Sequence, residues 1–415
     1  MFSGDIFAPS KLSIFYEGEH MMPFLEKSGI HWACVGNHDF DFGVEKLEKL
    51  IERTHFPWLL SNVKCSSTGG MLSKTQEYKI LEHEGYKIGL IGLAEFQWLE
   101  SLNTLDTEDI IFEDFVDWAK RFVKFFKEEN SDIDFIIALT HFRNQRDLLL
   151  GEQVPELDLI LGGHDHQTVN YQPNNILIRK SGTDFREFSM IKLWKYEQDS
   201  SEFVDNLQGV LTPEHTEHHD SSGVVIKDIS KIDPNFRTLI TEFEKVEITS
   251  RFQNDEELHE YSVKLITALG EKLKVPIGYV DVDLEGTFTK IRHMETNLSN
   301  MMADMVSDAT ESDMTLINTG TYRLDRVVKS GFITMQTVMD LLPMLDYVIT
   351  VKVPGDKLHK LLENGVSSYP AYEGKFPSIS GCRFEFDPKK EPGKRIDIND
   401  IFIKNEVLDY SKTYI

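Results

Sequence analysis

Residues 30–43 read IHWACVGNHDFDFG, a short apolar run that ends in a glycine followed by amide, imidazole and carboxylate side chains. The apolar run is typical of a buried β-strand, and the glycine permits a sharp turn at its end. We therefore expect Asn37, His38 and Asp41 to lie at a strand end. In an open α/β sheet, that is where ligands bind.

Three other strand ends carry the same kinds of side chain. They are Asp5, His141 and the pair His164 and His166. The carboxyl ends of parallel strands meet at one edge of a sheet, so these side chains can converge in one cleft. A single histidine at a strand end is usually an ordinary polar residue, so the argument depends on the four sites together. Mixed oxygen and imidazole ligands suit Zn, Mn, Fe or Co better than Ca.

The length and pattern of the chain predict two α/β domains. A single core stops growing at about 250 to 300 residues, and this chain has 415. Strand and helix patterns alternate over residues 1–211, which predicts a layered sandwich of sheets and helices. The predicted strands are 30–35, 87–93, 135–140, 157–161 and 176–178, and the predicted helices are 44–53 and 112–129.

A connecting region and a second, smaller α/β domain follow. Residues 212–276 are predicted to form a loop and linker helices, and residues 277–415 the second domain. The His-rich segment 213–223 is interpreted as a surface loop rather than a metal site. Further predicted elements are helices at 233–246, 258–269 and 297–310, and strands at 314–317 and 348–353.

The charge of the chain excludes some partners. The 44 Lys and Arg residues against 69 Asp and Glu residues give a net charge of −25, which opposes binding to nucleic acid and to anionic membranes. No apolar run reaches the roughly 18 residues of a membrane span. Any anionic substrate therefore needs local positive charge, and the oligomeric state stays open.

At its strand ends the chain resembles the calcineurin-like metallophosphoesterases, and residues 36–43 are similar to the longer signature of the 5'-nucleotidase family. Residues 56–63 resemble the segment that follows that signature. In the second domain, residues 295–300 and 318–323 resemble the family's Glu-x-Asn-Leu-Gly-Asn and Asn-Gly-Gly-Gly-x-Arg motifs. The resemblance extends over nearly the whole chain.

The resemblance implies a centre of two divalent metal ions. Asp5 would bridge the ions, Asn37, His141 and His164 would complete one site, and His166 would contribute to the other. The metals would clamp the phosphate and activate the attacking water.

The resemblance also implies the residues that act on the substrate. His38, held by Asp41, would stabilise charge on the phosphoryl group and the leaving oxygen. Arg292 and Arg323 would hold the substrate phosphate, because a planar guanidinium can bind it through two hydrogen bonds. Asn318 would contact the nucleoside.

The pattern departs from the family at both ends. No Asp-x-His precedes Asp5, which leaves the second metal site half built, and the chain stops at Ile415 where the family continues. We therefore expect an incomplete gene model or a fragment. The compartment is cytoplasmic as the chain is written, or secreted if an upstream signal is missing.

The predicted function is metal-dependent hydrolysis of nucleotide phosphate esters. Two alternatives stay open from the sequence. One keeps the chemistry but takes nucleotide sugars or 2',3'-cyclic nucleotides, and the other is a non-catalytic nucleotide-binding protein.

Overall fold

The structure is a computed structural model that describes residues 1–98, 104, 106–129, 132–197, 215–217, 222–232, 235–343 and 347–415. The chain divides into two compact units, Met1–Val263 and Lys264–Ile415. Both units mix helices with sheets, which confirms the predicted α/β class. No described helix combines the length and the apolar character that a membrane crossing requires.

The first unit contains the longer strands. They are β1 Phe2–Ser3, β2 Ala33–Cys34, β3 Trp58–Leu59, β4 Val63–Cys65, β5 Tyr78–His83, β6 Tyr86–Ala94, β7 Ile110–Phe112, β8 Phe135–His141, β9 Leu159–Gly162, β10 Thr168–Tyr171, β11 Leu177–Ser181, β12 Glu187–Tyr196, β13 His215–Glu217, β14 Ser222–Asp228 and β15 Thr238–Glu247. Its helices are α1 Lys11–Tyr16, α2 Met22–Lys27, α3 Val44–Ile51, α4 Phe115–Glu129 and α5 Asn144–Gln153. Helix α6, Glu256–Leu273, begins in this unit and ends in the second.

A central sheet separates two core layers in the first unit. Among the described residues its strand order is β13-β10-β11-β9-β8-β6-β5, with β11, β9, β8 and β6 parallel. Successive side chains of a strand point to opposite faces. Ile136 of β8 therefore packs in the core with Trp118 of α4, whereas Leu139 packs with Phe243 of β15. Strand β15 lies between β12 and β14 in the sheet that covers this second face.

The parallel strands β1, β2 and β3 bring two further strand ends to the same edge. The Ser3 hydroxyl at the end of β1 donates a hydrogen bond to the Leu161 carbonyl of β9, at 3.0 Å. The loops that follow β1, β2, β8 and β9 therefore lie close together. This edge carries the predicted metal ligands.

The second unit is built from short paired strands and helices around two cores. Its strands are β16 Pro276–Val280, β17 Leu284–Glu285, β18 Thr315–Asn318, β19 Val327–Val328, β20 Gly331–Thr334, β21 Val353–Pro354, β22 Pro377–Ser380, β23 Cys382–Phe384, β24 Ile401–Ile403, β25 Glu406–Val407 and β26 Thr413–Tyr414. Its helices are α7 Phe288–Ile291, α8 Asn297–Thr310, α9 Met335–Leu341 and α10 Gly355–Val366.

Most predicted elements are confirmed within a few residues. The predicted strands 87–93, 135–140, 157–161, 176–178 and 314–317 correspond to β6, β8, β9, β11 and β18, and the predicted strand 30–35 is reduced to β2. The predicted helices 44–53, 112–129, 258–269 and 297–310 correspond to α3, α4, α6 and α8.

The predicted helix over residues 233–246 is wrong. Residues 233–234 lie outside the described residues, and β15 occupies Thr238–Glu247. Its first four residues are all buried because β15 is the central strand of its sheet. A strand that is buried on both faces lacks the alternation of apolar and polar residues that marks a half-buried strand. The spacing of its apolar residues can then match that of a helix.

Two other segments also differ from their predictions. The predicted surface loop 213–223 contains β13 and the start of β14, and residues 213–214 and 218–221 of it lie outside the described residues. The apolar run 348–353 is not a strand before β21, because Val348, Ile349 and Val351 are exposed rather than packed in a core.

Candidate metal centre

Asp39 fixes the turn that places Asp5 at the strand ends. The Asp39 side chain is buried and accepts hydrogen bonds from the backbone N–H groups of Asp5, Ile6 and Gly36, at 2.9, 2.8 and 2.8 Å. These bonds tie the loop after β1 to the loop after β2. Burial and the negative charge of Asp5 raise the pKa of Asp39 to about 6. The sequence motif contains Asp39, but only the structure reveals this supporting role.

Asp5, His141 and His164 come together at the ends of β1, β8 and β9. One ligand atom of each residue lies within 4.8 Å of the others. Asp5 has a left-handed backbone, with φ of 60°, and its Oδ2 lies 2.9 Å from Nε2 of His141. A glycine is required opposite it, because a Cβ at Gly36 would collide with the Asp5 carboxylate.

The contacts of His141 fit a metal ligand. Its Nδ1 donates a hydrogen bond to the Ser3 carbonyl at 2.7 Å, so Nε2 is the ring nitrogen on the side of Asp5. Nε2 is buried and near Asp5 Oδ2 but is not aligned for a hydrogen bond with any described residue. The Trp98 indole N–H holds the His141 carbonyl at 3.0 Å. Metal-binding histidines are usually oriented by a hydrogen bond from the other ring nitrogen, as Nδ1 of His141 makes to Ser3.

The protonation states of Asp5 and His164 also suit a cation. Burial lowers the pKa of His141, but the charge of Asp5 outweighs burial and raises that pKa overall, so a metal ion would bind in place of a proton on His141. Burial raises the pKa of Asp5, but the neighbouring His141 and His38 outweigh burial and lower it overall. Burial, together with the charge of His141, lowers the pKa of His164 to about 4. Asp5 is therefore ionised and His164 neutral at pH 7, as metal ligands must be.

Asn37 and His166 differ in their positions. The Asn37 side chain is buried, and its Oδ1 lies 3.2 Å from Nδ1 of His164, beside the candidate metal group. His166 is exposed and lies outside the group that the described residues form. The ligand roles of both residues stay predictions.

His38 and Asp41 form a pair next to Asp5. The Nδ1 atom of His38 lies 3.0 Å from Asp41 Oδ2, and the His38 backbone N–H donates to Asp5 Oδ1 at 2.8 Å. Burial lowers the pKa of His38, but the hydrogen bond to Asp41 and the charge of Asp5 outweigh it and raise that pKa overall. Asp41 therefore engages Nδ1 of the ring, and the action of His38 on a substrate stays a prediction.

Glu95 and two arginines lie beside His164 and were not expected from the sequence. The Glu95 side chain is 1% exposed, and its oxygens have no hydrogen-bond partner among the described residues by geometry. Nε of Arg143 and Nε of Arg146 lie 3.5 and 3.9 Å from these oxygens, and Nε2 of His164 lies 4.0 Å away. Burial raises the pKa of Glu95, and the arginines oppose the shift. The position of Glu95 directly after β6 was the available sequence signal.

The second unit brings two of its predicted substrate residues near each other. Arg292 is mostly buried, its guanidinium carbon lies 4.8 Å from the ring centroid of Phe288, and its Nε has no partner among the described residues. Burial and then the positive charge of Arg323 lower the pKa of Arg292. Arg323 and Asn318 are exposed. Two neighbouring guanidinium groups suit an anionic ligand.

Comparison with solved structures supports this fold. A putative 5'-nucleotidase from Staphylococcus aureus matches 99% of this chain and 78% of its own, with a TM-score of 0.73 at 16% identity. A 5'-nucleotidase precursor from Thermus thermophilus matches the same shares of the two chains, with a TM-score of 0.63 at 21% identity.

Sequence relatives match nearly the whole of this chain. The chain is 25% identical to a 5'-nucleotidase of Vibrio cholerae over 91% of this chain and 69% of that protein. It is also 25% identical to a 5'-nucleotidase of Bos taurus, over 95% of this chain and 66% of that protein. The trifunctional nucleotide phosphoesterase protein YfkN of Bacillus subtilis is 25% identical over 95% of this chain, which spans only 27% of its length.

Two family models match the chain. The one described as calcineurin-like phosphoesterase matches residues 1–168, and the one described as 5'-nucleotidase, C-terminal domain matches residues 276–415. These matches support the predicted enzyme class, a phosphoric ester hydrolase that uses divalent metal. The chain therefore combines a calcineurin-like phosphoesterase domain with a 5'-nucleotidase C-terminal domain.

Proposed function

We propose that this chain hydrolyses phosphate esters of nucleotides with divalent metal bound by Asp5, His141 and His164. The observation that carries the proposal is the convergence of one carboxylate and two imidazoles beside the His38–Asp41 pair. A divalent ion at such a site polarises the phosphoryl group and lowers the pKa of water.

His38 supplies positive charge to the reaction in this proposal. Asp41 orients the imidazole through Nδ1 and helps to keep it protonated, so Nε2–H can bind a phosphoryl oxygen or the leaving oxygen. Charge developing on these oxygens in the transition state is then met by a donor already in place. Asp5 accepts the backbone N–H of His38 and thereby couples this donor to the metal-binding group.

Local arginines offset the negative charge of the chain at the sites where an anion must bind. In the first unit, Arg143 and Arg146 lie beside Glu95, and their side chains are 49% and 39% exposed. In the second unit, Arg292 and Arg323 are the candidates for phosphate binding. A chain with a net charge of −25 needs such clusters to attract an anionic substrate.

Two bound ions, drawn from Zn, Mn, Fe and Co, are the finer part of the proposal. Asn37 would join the first ion through its side-chain oxygen, and Asp5 and His166 would contribute to the second. The carboxylate, amide and imidazole donors suit these metals. Metal analysis of the purified chain counts the ions and identifies them.

A substrate panel tests the proposed function. We expect the full chain, loaded with Mn²⁺ or Zn²⁺, to release phosphate from 5'-AMP faster than it cleaves 2',3'-cyclic AMP or UDP-glucose. Faster cleavage of 2',3'-cyclic AMP or of UDP-glucose would identify that compound, and not the nucleotide monoester, as the preferred substrate. Nucleotide binding without any cleavage would favour the non-catalytic alternative.

Arg292 is expected to contribute to substrate binding. Replacing Arg292 by lysine should raise the KM for 5'-AMP about tenfold and leave kcat nearly unchanged, because a lysine cannot donate two parallel hydrogen bonds to phosphate. Steady-state kinetics measure the effect.

Arg395→Lys is the matched control for this substitution. Arg395 is a buried arginine of the same unit whose guanidinium donates to the backbone carbonyls of Val366 and Tyr369. The control should lower stability without changing KM. An unchanged KM in the Arg292 variant would remove this residue from the binding site.

A further inference from the structure

We propose that Lys180 is a positioning residue that holds His141 and His164 in place for metal binding. This inference rests on the proposed function only in so far as these histidines bind metal. Lys180 lies on β11 opposite Gly162 of β9, close to the edge that carries the ligands. The Lys180 side chain is 2% exposed.

Lys180 touches both histidine-bearing loops at once. Its ammonium group donates hydrogen bonds to the Phe142 carbonyl at 2.7 Å and to Asp165 Oδ2 at 2.6 Å. Phe142 directly follows His141, and Asp165 directly follows His164. One buried cation therefore connects the residues that follow the two ligands.

Asp147 completes the connection from a third direction. Its Oδ2 lies 2.8 Å from the Lys180 ammonium, and its Oδ1 accepts a hydrogen bond from the Thr140 hydroxyl at 2.5 Å. Thr140 directly precedes His141, so His141 is flanked on both sides by residues bound to this cluster. The Asp147 side chain is fully buried.

The chain leaves space for the lysine beside the ligand loop. A Cβ at Gly162 would lie 2.8 Å from Cε of Lys180, closer than real side chains pack. The glycine that ends β9 therefore admits the lysine stem and also begins the turn to His164. Gly162 therefore both makes room for Lys180 and leads into the turn that carries His164.

Stability alone is a weak reason for this arrangement. Burying charges costs free energy that the attraction between them often only offsets, so buried ion pairs are poor evidence of stabilisation. Outer residues that orient metal ligands are well attested, and their loss typically costs about 10- to 100-fold in metal affinity or activity. We infer a role in orienting the ligands from the contacts on both loops.

Lys227 provides a matched control in the same unit. It is also a buried lysine, and its ammonium donates to the Leu157 carbonyl at 2.9 Å. Leu157 precedes β9, whereas His164 follows β9, so Lys227 lies at the opposite end of the strand from the metal ligands. Removing it tests what the loss of a buried lysine does at the end of β9 that lies away from the ligand loops.

The test compares Co²⁺ binding by full-length variants after metal removal. Lys180→Met and the double variant Lys180→Met/Asp147→Asn are measured beside Lys227→Met, by Co²⁺ titration, visible absorption of bound Co²⁺ and urea unfolding. The double variant removes both charges of the buried Lys180–Asp147 pair, and the Asp165 carboxylate that loses Lys180 is 22% exposed and can meet solvent. It therefore keeps the test decisive if the single variant fails to fold.

We expect both Lys180 variants to bind Co²⁺ about 10- to 100-fold more weakly with an altered absorption spectrum. Lys227→Met should keep the affinity and spectrum of the wild type even if it unfolds at lower urea. A folded double variant with wild-type affinity and spectrum would overturn the proposal. Because Co²⁺ binding needs no turnover, a wild type that binds Co²⁺ but cleaves no nucleotide would contradict the proposed function alone.

Discussion

Asp5→Asn is expected to lower kcat/KM for 5'-AMP by more than about 10³-fold, beyond the loss of a single transition-state donor. The amide keeps the size of the side chain and can still accept the His38 backbone N–H. It removes the negative charge that lies 2.9 Å from His141 and that a divalent ion requires. Phosphate release, metal content and urea unfolding, measured together, separate a metal-binding defect from a folding defect.

Asp117→Asn is the control for this substitution. Asp117 is exposed on α4 of the same unit. The control should keep both the metal and the rate. An Asp5 variant that retained wild-type turnover would show that Asp5 is not a metal ligand needed for catalysis.

His38→Ala is expected to lower kcat by about 10²- to 10⁴-fold, the usual contribution of a positioned acid or base. Metal should stay bound, because His38 offers its imidazole to Asp41 rather than to the metal group. In the proposed reaction, the wild-type His38 acts as a cation, and its pKa is raised. The rate should therefore be highest below that pKa and fall as the pH rises through it.

His83→Ala controls for the loss of a histidine. His83 is exposed at the end of β5. Its replacement should leave both kcat and the pH profile unchanged. A His38 variant with a wild-type rate would remove His38 from the reaction. A variant that kept the alkaline decline would assign that decline to another group.

The sequence predicted the strand-end residues well because their signal is local. An apolar run, a glycine and a polar side chain identify the end of a buried strand without knowledge of its neighbours. The expectation that Asp5, His141 and His164 converge followed from the parallel order of strands. The arrangement of β1, β8 and β9 confirms that convergence. His166 is in the same motif but is exposed in the structure.

The supporting residues could not be identified from local patterns. Lys180 and Glu95 are charged side chains in or after apolar strands, and only the packing of distant segments buries them. The same limit explains the wrong helix at β15, since the spacing of apolar residues does not reveal that a strand is covered on both faces. Tertiary burial therefore decides which polar residues support the site.

The most direct test of the account is a metal titration followed by phosphate release. The full chain is stripped of metal with a chelator, and Mn²⁺ or Zn²⁺ is returned in known amounts before 5'-AMP is added. We predict no release from the stripped chain and a rate that rises with bound metal until the site is full. Release that is indifferent to metal, or a fully loaded chain that leaves 5'-AMP intact, would contradict the assignment of Asp5, His141 and His164 as a catalytic metal centre.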